Sequence, residues 1–205
     1  MKLAAVRIQG YRAHEDTTVT LENGLTVVVG RNNTGKTSFI EIIDKFIGNN
    51  KRNGIHATDF SAGQRRQLLD ALRCKSKKRN NNVSIPSITL TLIINYNLKD
   101  DTREDIASIA PYLTTLDTEC TTLEIECKYT PTNETYIKSI LTESTTKKSE
   151  KIEDKLLKLI EESGEYKTTY QARSTFADNT IKNTNEARIL TKEEVRAIVN
   201  TEYIY

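Results

Sequence analysis

The stretch VVVGRNNTGKTSFIEII, residues 27–43, decides how the rest of the chain is interpreted. An apolar run ends at Gly30, a polar loop follows, and from Lys36 apolar residues recur at helical spacing. Gly30 to Thr37 fits the pattern G-x-x-x-x-G-K-[ST], in which the glycines let the backbone wrap closely around phosphate oxygens. The sequence therefore predicts a strand, a phosphate-binding loop and a helix, in that order.

Each residue type in this Walker A pattern has a chemical reason to be there. Successive backbone N–H groups bind anions, and the following helix adds its positive N-terminal end. Lys36 is the expected catalytic group, because its ammonium reaches the β- and γ-phosphates, and the Thr37 hydroxyl is the expected Mg²⁺ ligand. The predicted nucleotide-binding residues of the loop are Gly30, Arg31, Asn32, Asn33, Thr34, Gly35, Lys36, Thr37 and Ser38.

The segment before the loop is predicted to be β-structure. Residues 2–9 alternate between apolar and polar side chains, as a strand does, and a turn follows at Gly10. Two further runs are joined by Asn23-Gly24, a pair that favours a type I′ hairpin turn. The second run, Leu25 to Val29, is nearly all apolar, which predicts a buried central strand.

After the loop, helical and alternating patterns follow one another. The first helix begins at Lys36 and ends at Gly48, and its expected buried face consists of Phe39, Ile40, Ile43, Phe46 and Ile47. The further predicted elements are a short helix in 65–74, a strand in 87–97, a helix in 102–113 interrupted near Pro111, and a strand in 121–129 that pairs with 135–141.

The C-terminal part is patterned more weakly. Residues 144–163 predict an amphipathic helix, which packs on its own sheet in one interpretation and on a second copy of the chain in another. Residues 165–188 are polar and are expected to form a loop or a partly disordered segment. Thr191 and Glu194 predict a capping box before a last helix, and the final TEYIY is expected to begin a strand.

Composition disfavours several classes of function. The net charge of +2 does not by itself indicate nucleic acid, and no apolar run is long enough to span a membrane. Cys74, Cys120 and Cys127 are odd in number and lack metal-site spacing, so we expect reduced thiols in a cytoplasmic protein. His14 and His56 lie far apart in sequence, which disfavours a zinc site and a Ser/His nucleophile system.

The opening of the chain, residues 3–43, resembles that of the RecF, SMC and OLD (overcoming lysogenization defect) group of ABC-type ATPases. In that group a first strand ends in an aromatic-basic pair, here Tyr11-Arg12, and the loop is G-x-N-x-x-G-K-[ST], with Asn32 as its asparagine. Asn33 replaces the glycine often found beside it. The resemblance implies that Arg12 lies beside a bound ATP. IHATDF and residues 87–106 are similar to OLD-type ATPases of phage defence, including the Gabija nuclease.

The resemblance implies an α/β fold with an α+β N-terminal lobe, as one half of a P-loop, ABC-type ATPase with a mixed sheet. The whole of 1–205 would be the N-terminal part of this domain, with a P-loop core at 1–50, a strand/helix lobe at 84–142 and a helical insertion at 144–164. The Walker B carboxylates, signature loop, switch histidine and TOPRIM nuclease carboxylates of such proteins are not found in the sequence. We therefore expect the chain to be part of a longer protein.

Three weaker features allow more than one interpretation. FSAGQRR, residues 60–66, echoes a signature loop, but it follows Lys36 too closely, so neither it nor Gln64 is expected to act on the nucleotide. The basic segment 65–79 is either a DNA-backbone patch or a solvated loop. The acidic cluster 100–105 is either a set of metal ligands or a loop and an acidic first helical turn, and we favour the second.

Three functions remain open. The first is an ATPase head, working with Mg²⁺ as a homodimer or higher oligomer, that regulates a DNA-processing nuclease in anti-phage defence, with an SMC/RecF-like repair ATPase as its alternative. The second is a stand-alone GTPase or small-molecule kinase, but neither an Asn-Lys-x-Asp guanine-binding motif nor a lid arginine is found. The third is a nucleotide-binding regulatory module without turnover. We expect the first, with hydrolysis completed by C-terminal or partner residues and the nuclease carried by them.

Overall fold

The computed structural model describes residues 1–32, 34–49, 54–73, 85–115, 117–133, 160–161, 164–176 and 187–199, with the backbone alone for 68–73 and 176. These residues are organised around a six-stranded sheet in the order β2-β1-β3-β4-β5-β6, in which every neighbouring pair is antiparallel. The strands are β1 Lys2–Tyr11, β2 His14–Thr20, β3 Ile88–Asn95, β4 Cys120–Pro131, β5 Tyr166–Phe176 and β6 Arg188–Leu190.

The described part of the chain also contains four α-helices and two 3₁₀ turns. The helices are α1 Lys36–Ile47, α2 Ala62–Arg73, α3 Arg103–Ile109 and α4 Lys192–Val199, and the 3₁₀ turns are Ala57–Asp59 and Ala110–Tyr112. α1 contacts β1 and β3, and α4 contacts both α1 and α3. None of these helices has the length and apolarity that crossing a membrane requires.

The core lies between α1 and the central strands. Val6 and Ile8 of β1 and alternate residues of β3 are buried together with Phe39, Ile42 and Phe46 of α1. Burying an apolar side chain of this size contributes about 1.5–3 kcal/mol, so this contact holds α1 firmly on the sheet. The buried stripe of α1 differs from the expected one in two places, because Ile40 is 56% exposed and Ile42, which was not expected there, is fully buried. Ile40 lies about one quarter-turn away from Phe39, on the side of the helix that faces away from the sheet.

The first hairpin of the sheet has a two-residue turn. Tyr11 and His14 are paired residues of β1 and β2, so Arg12 and Ala13 alone connect the strands. Arg12 has a φ of 46°, an uncommon value for a residue other than glycine. This turn, and not Asn23-Gly24, joins two strands in the structure.

The expected strand at Leu25–Val29 is wrong. This segment belongs to no strand, and Leu25, Val27 and Val29 are 78%, 68% and 82% exposed. Gly24 has the expected positive φ, 96°, but no hairpin follows. An apolar run becomes a strand only when a neighbouring chain pairs with its N–H and C=O groups, and the described residues provide no such partner. The described sheet is antiparallel throughout, so the mixed sheet that the resemblance implied is not found among the described strands.

The elements expected between residues 65 and 129 are confirmed. They correspond to α2, β3, α3 and β4, and Pro111 falls in the 3₁₀ turn that follows α3. The expected partner of β4, residues 135–141, lies outside the described residues, and the second neighbour of β4 is β5.

β5 corrects the expectation that 165–188 forms a loop or a partly disordered segment. In its sequence, YKTTYQARSTF, the polar residues 167–169 are exposed, whereas Tyr166, Ala172, Ser174 and Thr175 are buried. Tyrosine and threonine favour strands once a partner is present, and β4 is that partner.

The C-terminal helix begins as expected. Thr191 and Glu194 form the capping box of α4, with the Thr191 N–H donating to Glu194 Oε2 at 2.7 Å and the Glu194 N–H to Thr191 Oγ1 at 3.2 Å. Of the amphipathic segment 144–163, only residues 160–161 are described, and Ile160 is buried in the core. TEYIY lies outside the described residues.

Candidate functional site

The glycine-rich loop is held by its own lysine. Lys36 Nζ donates to the carbonyl oxygens of Gly30 at 2.6 Å and Arg31 at 2.5 Å, so the side chain bends back across the loop. Thr34 Oγ1 donates to the same Arg31 oxygen at 2.8 Å. A phosphate group entering the loop would therefore meet an ammonium group already positioned there.

The loop leads directly into the N-terminus of α1. Gly35 is the N-cap with a φ of 93°, no side chain caps this end, and its first turn contains no acidic residue. The first N–H groups of a helix have no intrahelical acceptor, and the helix dipole makes this end attractive to anions. The described residues thus leave backbone donors and positive charge at the position where the motif predicts phosphate.

The remaining loop residues have side chains that suit a magnesium-bound phosphate. Asn32, Thr34 and Thr37 are exposed and Ser38 is half-buried, while Asn33 lies outside the described residues. Thr37 follows Lys36 in the first turn of α1. A hydroxyl oxygen is a suitable ligand for Mg²⁺, which usually binds through a few protein oxygens, phosphates and waters. The residues present therefore fit both a nucleotide phosphate chain and its Mg²⁺.

Replacing Gly35 by alanine is expected to weaken nucleotide binding about tenfold. Residues with a side chain disfavour the positive φ of Gly35, and the added methyl group would enter space that His14 already fills. A Cβ built there would lie 2.8 Å from His14 Nε2. The measurement is a fluorescence titration with labelled ATP. Gly24→Ala is the matched control, since Gly24 has a φ of 96° but open space around it. Equal losses of affinity in both variants would contradict the prediction.

Arg12, predicted to lie beside the nucleotide, contacts the helix that starts at the loop. Its Nε donates to Asp59 Oδ1 at 2.9 Å, and its Nη1 pairs with Glu41 of α1. Its guanidinium also lies 5.1 Å from the centre of the Tyr11 ring. These contacts hold the Arg12 side chain against the second turn of α1. Contact of Arg12 with a nucleotide stays a prediction.

Asp59 connects three parts of the chain. It is 1% exposed, and it accepts hydrogen bonds from Arg12, from Lys45 Nζ at 2.9 Å and from the His56 N–H at 2.9 Å. Burial alone would raise the pKa of the Asp59 carboxyl, but the His56 N–H, Lys45 and Arg12 together lower it on balance. The buried carboxylate therefore stays charged and ties the β1–β2 turn to α1.

The signature-like segment FSAGQRR makes structural contacts. Gln64 Nε2 donates to the Ser87 carbonyl oxygen at 2.6 Å, and the Ser87 N–H donates to Gln64 Oε1 at 3.0 Å. Ser61 Oγ donates to Glu15 Oε2 at 2.8 Å. That the segment does not act on the nucleotide stays a prediction.

The structure describes the acidic cluster 100–105 but only part of the basic segment 65–79. In the acidic cluster, Asp101 pairs with the N-terminal ammonium and accepts a hydrogen bond from the Asn97 N–H. Thr102 caps α3 by accepting a hydrogen bond from the Asp105 N–H. This geometry agrees with a loop followed by a helix. In the basic segment, most of 65–79 lies outside the residues whose side chains are described, so DNA contact there stays a prediction.

Sequence reasoning missed two residues that support the loop, His14 and Asp59. His14 Nε2 lies 3.1 Å from the Gly35 carbonyl oxygen, and Asp59 holds Arg12 and Lys45. Each acts on residues far away in sequence, so no local spacing points to it. The signals that the sequence offered were the position of His14 three residues after Tyr11 and the presence of Asp59 in IHATDF.

Comparisons with known proteins show the family of the chain. A protein-family model described as "AAA ATPase domain" matches residues 1–203. A curated relative, the "DNA double-strand break repair Rad50 ATPase" of Sulfolobus acidocaldarius, is 31% identical over 109 residues, which are 52% of this chain and 11% of the relative. The chain thus covers about a tenth of that relative's length. Neither match distinguishes OLD-type ATPases from the rest of the ABC- and SMC-like group.

Proposed function

Because the chain belongs to the AAA ATPase domain family, we propose that it binds Mg·ATP in loop 30–38 and hydrolyses it in a completed site. The observation that carries the proposal is the position of Lys36. Its ammonium lies across the loop at the uncapped N-terminus of α1, and its bonds to described residues are to backbone oxygens. A polyphosphate is the anion that uses both a cation and a row of backbone donors at one site.

The residues of this chain supply binding and charge stabilisation. Lys36 and the N–H groups at the start of α1 neutralise charge on the phosphates, and the Thr37 hydroxyl holds the metal. Mg²⁺, when bound, would supply further positive charge that offsets the charge of the phosphates. Phosphoryl transfer depends mostly on such positioning and electrostatic stabilisation. The group that activates water is proposed to come from C-terminal or partner residues.

The exposed segment Leu25–Val29 supports completion of the site by further structure. It is apolar, exposed and directly precedes the loop. Exposed apolar runs commonly mark places where another chain segment binds. A strand from the C-terminal part, or from a second head in a homodimer or higher oligomer, would pair with it and fix the start of the loop.

We further propose that this ATPase acts in the cytoplasm in anti-phage defence, where it regulates a DNA-processing nuclease. The nuclease would be carried by a partner or by a C-terminal segment. The likeness of the opening to OLD-type ATPases supports this role. The printed name of the relative, a DNA double-strand break repair ATPase, favours the alternative, an SMC/RecF-like repair ATPase. The basic segment 65–79 is the proposed DNA contact in both. A regulatory module that binds nucleotide without turnover is the third candidate.

The first test uses the intact natural protein. We expect a mass well above the 23.3 kDa of this chain, hydrolysis of ATP in preference to GTP, and stimulation of turnover by DNA. DNA cleavage that depends on nucleotide supports nuclease regulation, whereas DNA tethering without cleavage supports the repair ATPase. ATP binding without turnover supports the regulatory module. Absence of binding to either nucleotide would overturn the proposed function.

A further inference from the structure

His14 lies behind the phosphate-binding loop, at the start of β2. Its side chain is 7% exposed, and Nε2 lies 3.1 Å from the carbonyl oxygen of Gly35. A Cβ built on Gly35 would come within 2.8 Å of this same nitrogen. The imidazole therefore occupies the space beside the last glycine of the loop.

The Gly35 carbonyl oxygen accepts two hydrogen bonds. One comes from the Phe39 N–H at 2.9 Å, and it is the ordinary bond of the first helical turn. The other comes from His14, and because a carbonyl oxygen only accepts, Nε2 carries the proton. The helix does not need this second bond, since Phe39 already satisfies the oxygen. The second bond therefore adds a constraint on the peptide group that joins Gly35 to Lys36.

Peptide planarity transmits this constraint to the phosphate side of the loop. The Gly35 C=O and the Lys36 N–H belong to one planar trans peptide group, so they point in opposite directions. Holding the oxygen toward His14 and Phe39 directs the Lys36 N–H out of the helix start, where an anion binds. A donor held in place before the ligand arrives has no reorganisation to undergo on binding.

The surroundings of His14 keep its ring in this position. His14 is paired with the fully buried Tyr11 across the two-residue turn. The next residue, Glu15, accepts hydrogen bonds from Ser61 Oγ at 2.8 Å and from the Gly63 N–H at 2.7 Å. The strand that carries the imidazole is thus fixed on both sides of it.

We propose that His14 is a positioning residue for nucleotide binding, whose Nε2–H holds the Gly35–Lys36 peptide in the orientation that donates to a nucleotide phosphate. This role rests on the proposed function, because it concerns the affinity of the same loop for nucleotide. The proposed role gives β2, which lies outside the loop motif, a residue that acts in nucleotide binding.

Two substitutions of similar length separate the hydrogen bond from the volume of the ring. His14→Gln keeps a donor at about the distance of Nε2, whereas His14→Met fills similar space without one. In the intact protein we expect about fivefold weaker binding of labelled ATP for His14→Met and an affinity within about twofold of wild type for His14→Gln. His14→Asn, whose amide is one bond too short, should behave like His14→Met. Thr18→Val, an exposed change on the same strand, is the control.

The unfolding temperature without nucleotide is measured for every variant. A purely structural role would lower that temperature and leave the affinity of the folded protein unchanged, and this result would overturn the proposal. Equal affinities of His14→Gln and His14→Met would overturn it as well. If His14→Met does not fold, His14→Asn against His14→Gln makes the same comparison. Failure of the wild-type protein to bind ATP would instead overturn the proposed function, and this role with it.

Discussion

Lys36→Ala is expected to weaken ATP binding about a hundredfold while the fold stays intact, because it removes a charged partner from an anion site. Among the described residues, the Lys36 ammonium bonds to the backbone oxygens of Gly30 and Arg31, so we expect the fold to persist without its charge. The bound phosphates, by contrast, would lose their nearest cation. ATP affinity is measured by titration calorimetry, and folding by the thermal unfolding curve without nucleotide.

The control for this prediction removes a lysine elsewhere. Lys167 is exposed on β5, far in sequence from the loop, and Lys167→Ala should keep wild-type affinity and turnover. If Lys36→Ala retains wild-type affinity, the assignment of the loop as a phosphate site is wrong. If both lysine variants lose affinity equally, the effect is one of general charge and not of the loop.

Asp59→Ala is expected to lower the free energy of unfolding by about 3 kcal/mol, since it leaves the buried ammonium of Lys45 without its carboxylate. Lys45 is 9% exposed and would lose its ion pair, although its bond to the Gly54 carbonyl oxygen at 2.7 Å remains. Arg12 is more exposed and keeps its ion pair with Glu41. The expected loss of stability is therefore at the lower end of the range for breaking a buried ion pair. Chemical denaturation measures the difference.

An exposed ion pair provides the comparison. Asp16 accepts two hydrogen bonds from Arg7 at 2.8 and 2.6 Å, but about half of each side chain is exposed. Asp16→Ala should therefore cost no more than about 1 kcal/mol, as is usual for surface pairs. Similar losses for Asp16→Ala and Asp59→Ala would contradict the importance of burial at Asp59.

The pH dependence gives an independent check on Asp59. The pKa of its carboxyl is lowered from the ordinary value of 3.8 in the folded chain, so the folded state favours the charged form. The corresponding stability is fully present above pH 3.8 and is lost as the pH falls through the folded pKa. The difference in stability between wild type and Asp59→Ala should therefore shrink in acid, and a difference that grows there would contradict the assignment.

The contrast between β3 and Leu25–Val29 shows how far apolar patterning predicts strands. Both runs are rich in apolar residues, and both were expected to be strands. β3 lies between β1 and β4, and its alternate residues are buried. Leu25–Val29 has the same kind of side chains but no pairing strand among the described residues. A sequence pattern shows which residues favour a strand, whereas the strand itself depends on a second segment of backbone.

The loop that leads into α1, the start of α1 and the capping box of α4 can be predicted from the sequence, because their signals lie within a few residues. Their hydrogen bonds join residues close in the chain, so local residue types suffice to predict them. The strand β5, the bonds of Arg12 to Asp59 and Glu41 and the bond of His14 to Gly35 depend on tertiary contacts, because they join residues distant in sequence. Pairing with β4 makes β5 a strand, whereas the packing of α1 on the sheet brings Arg12 to Glu41 and His14 to Gly35.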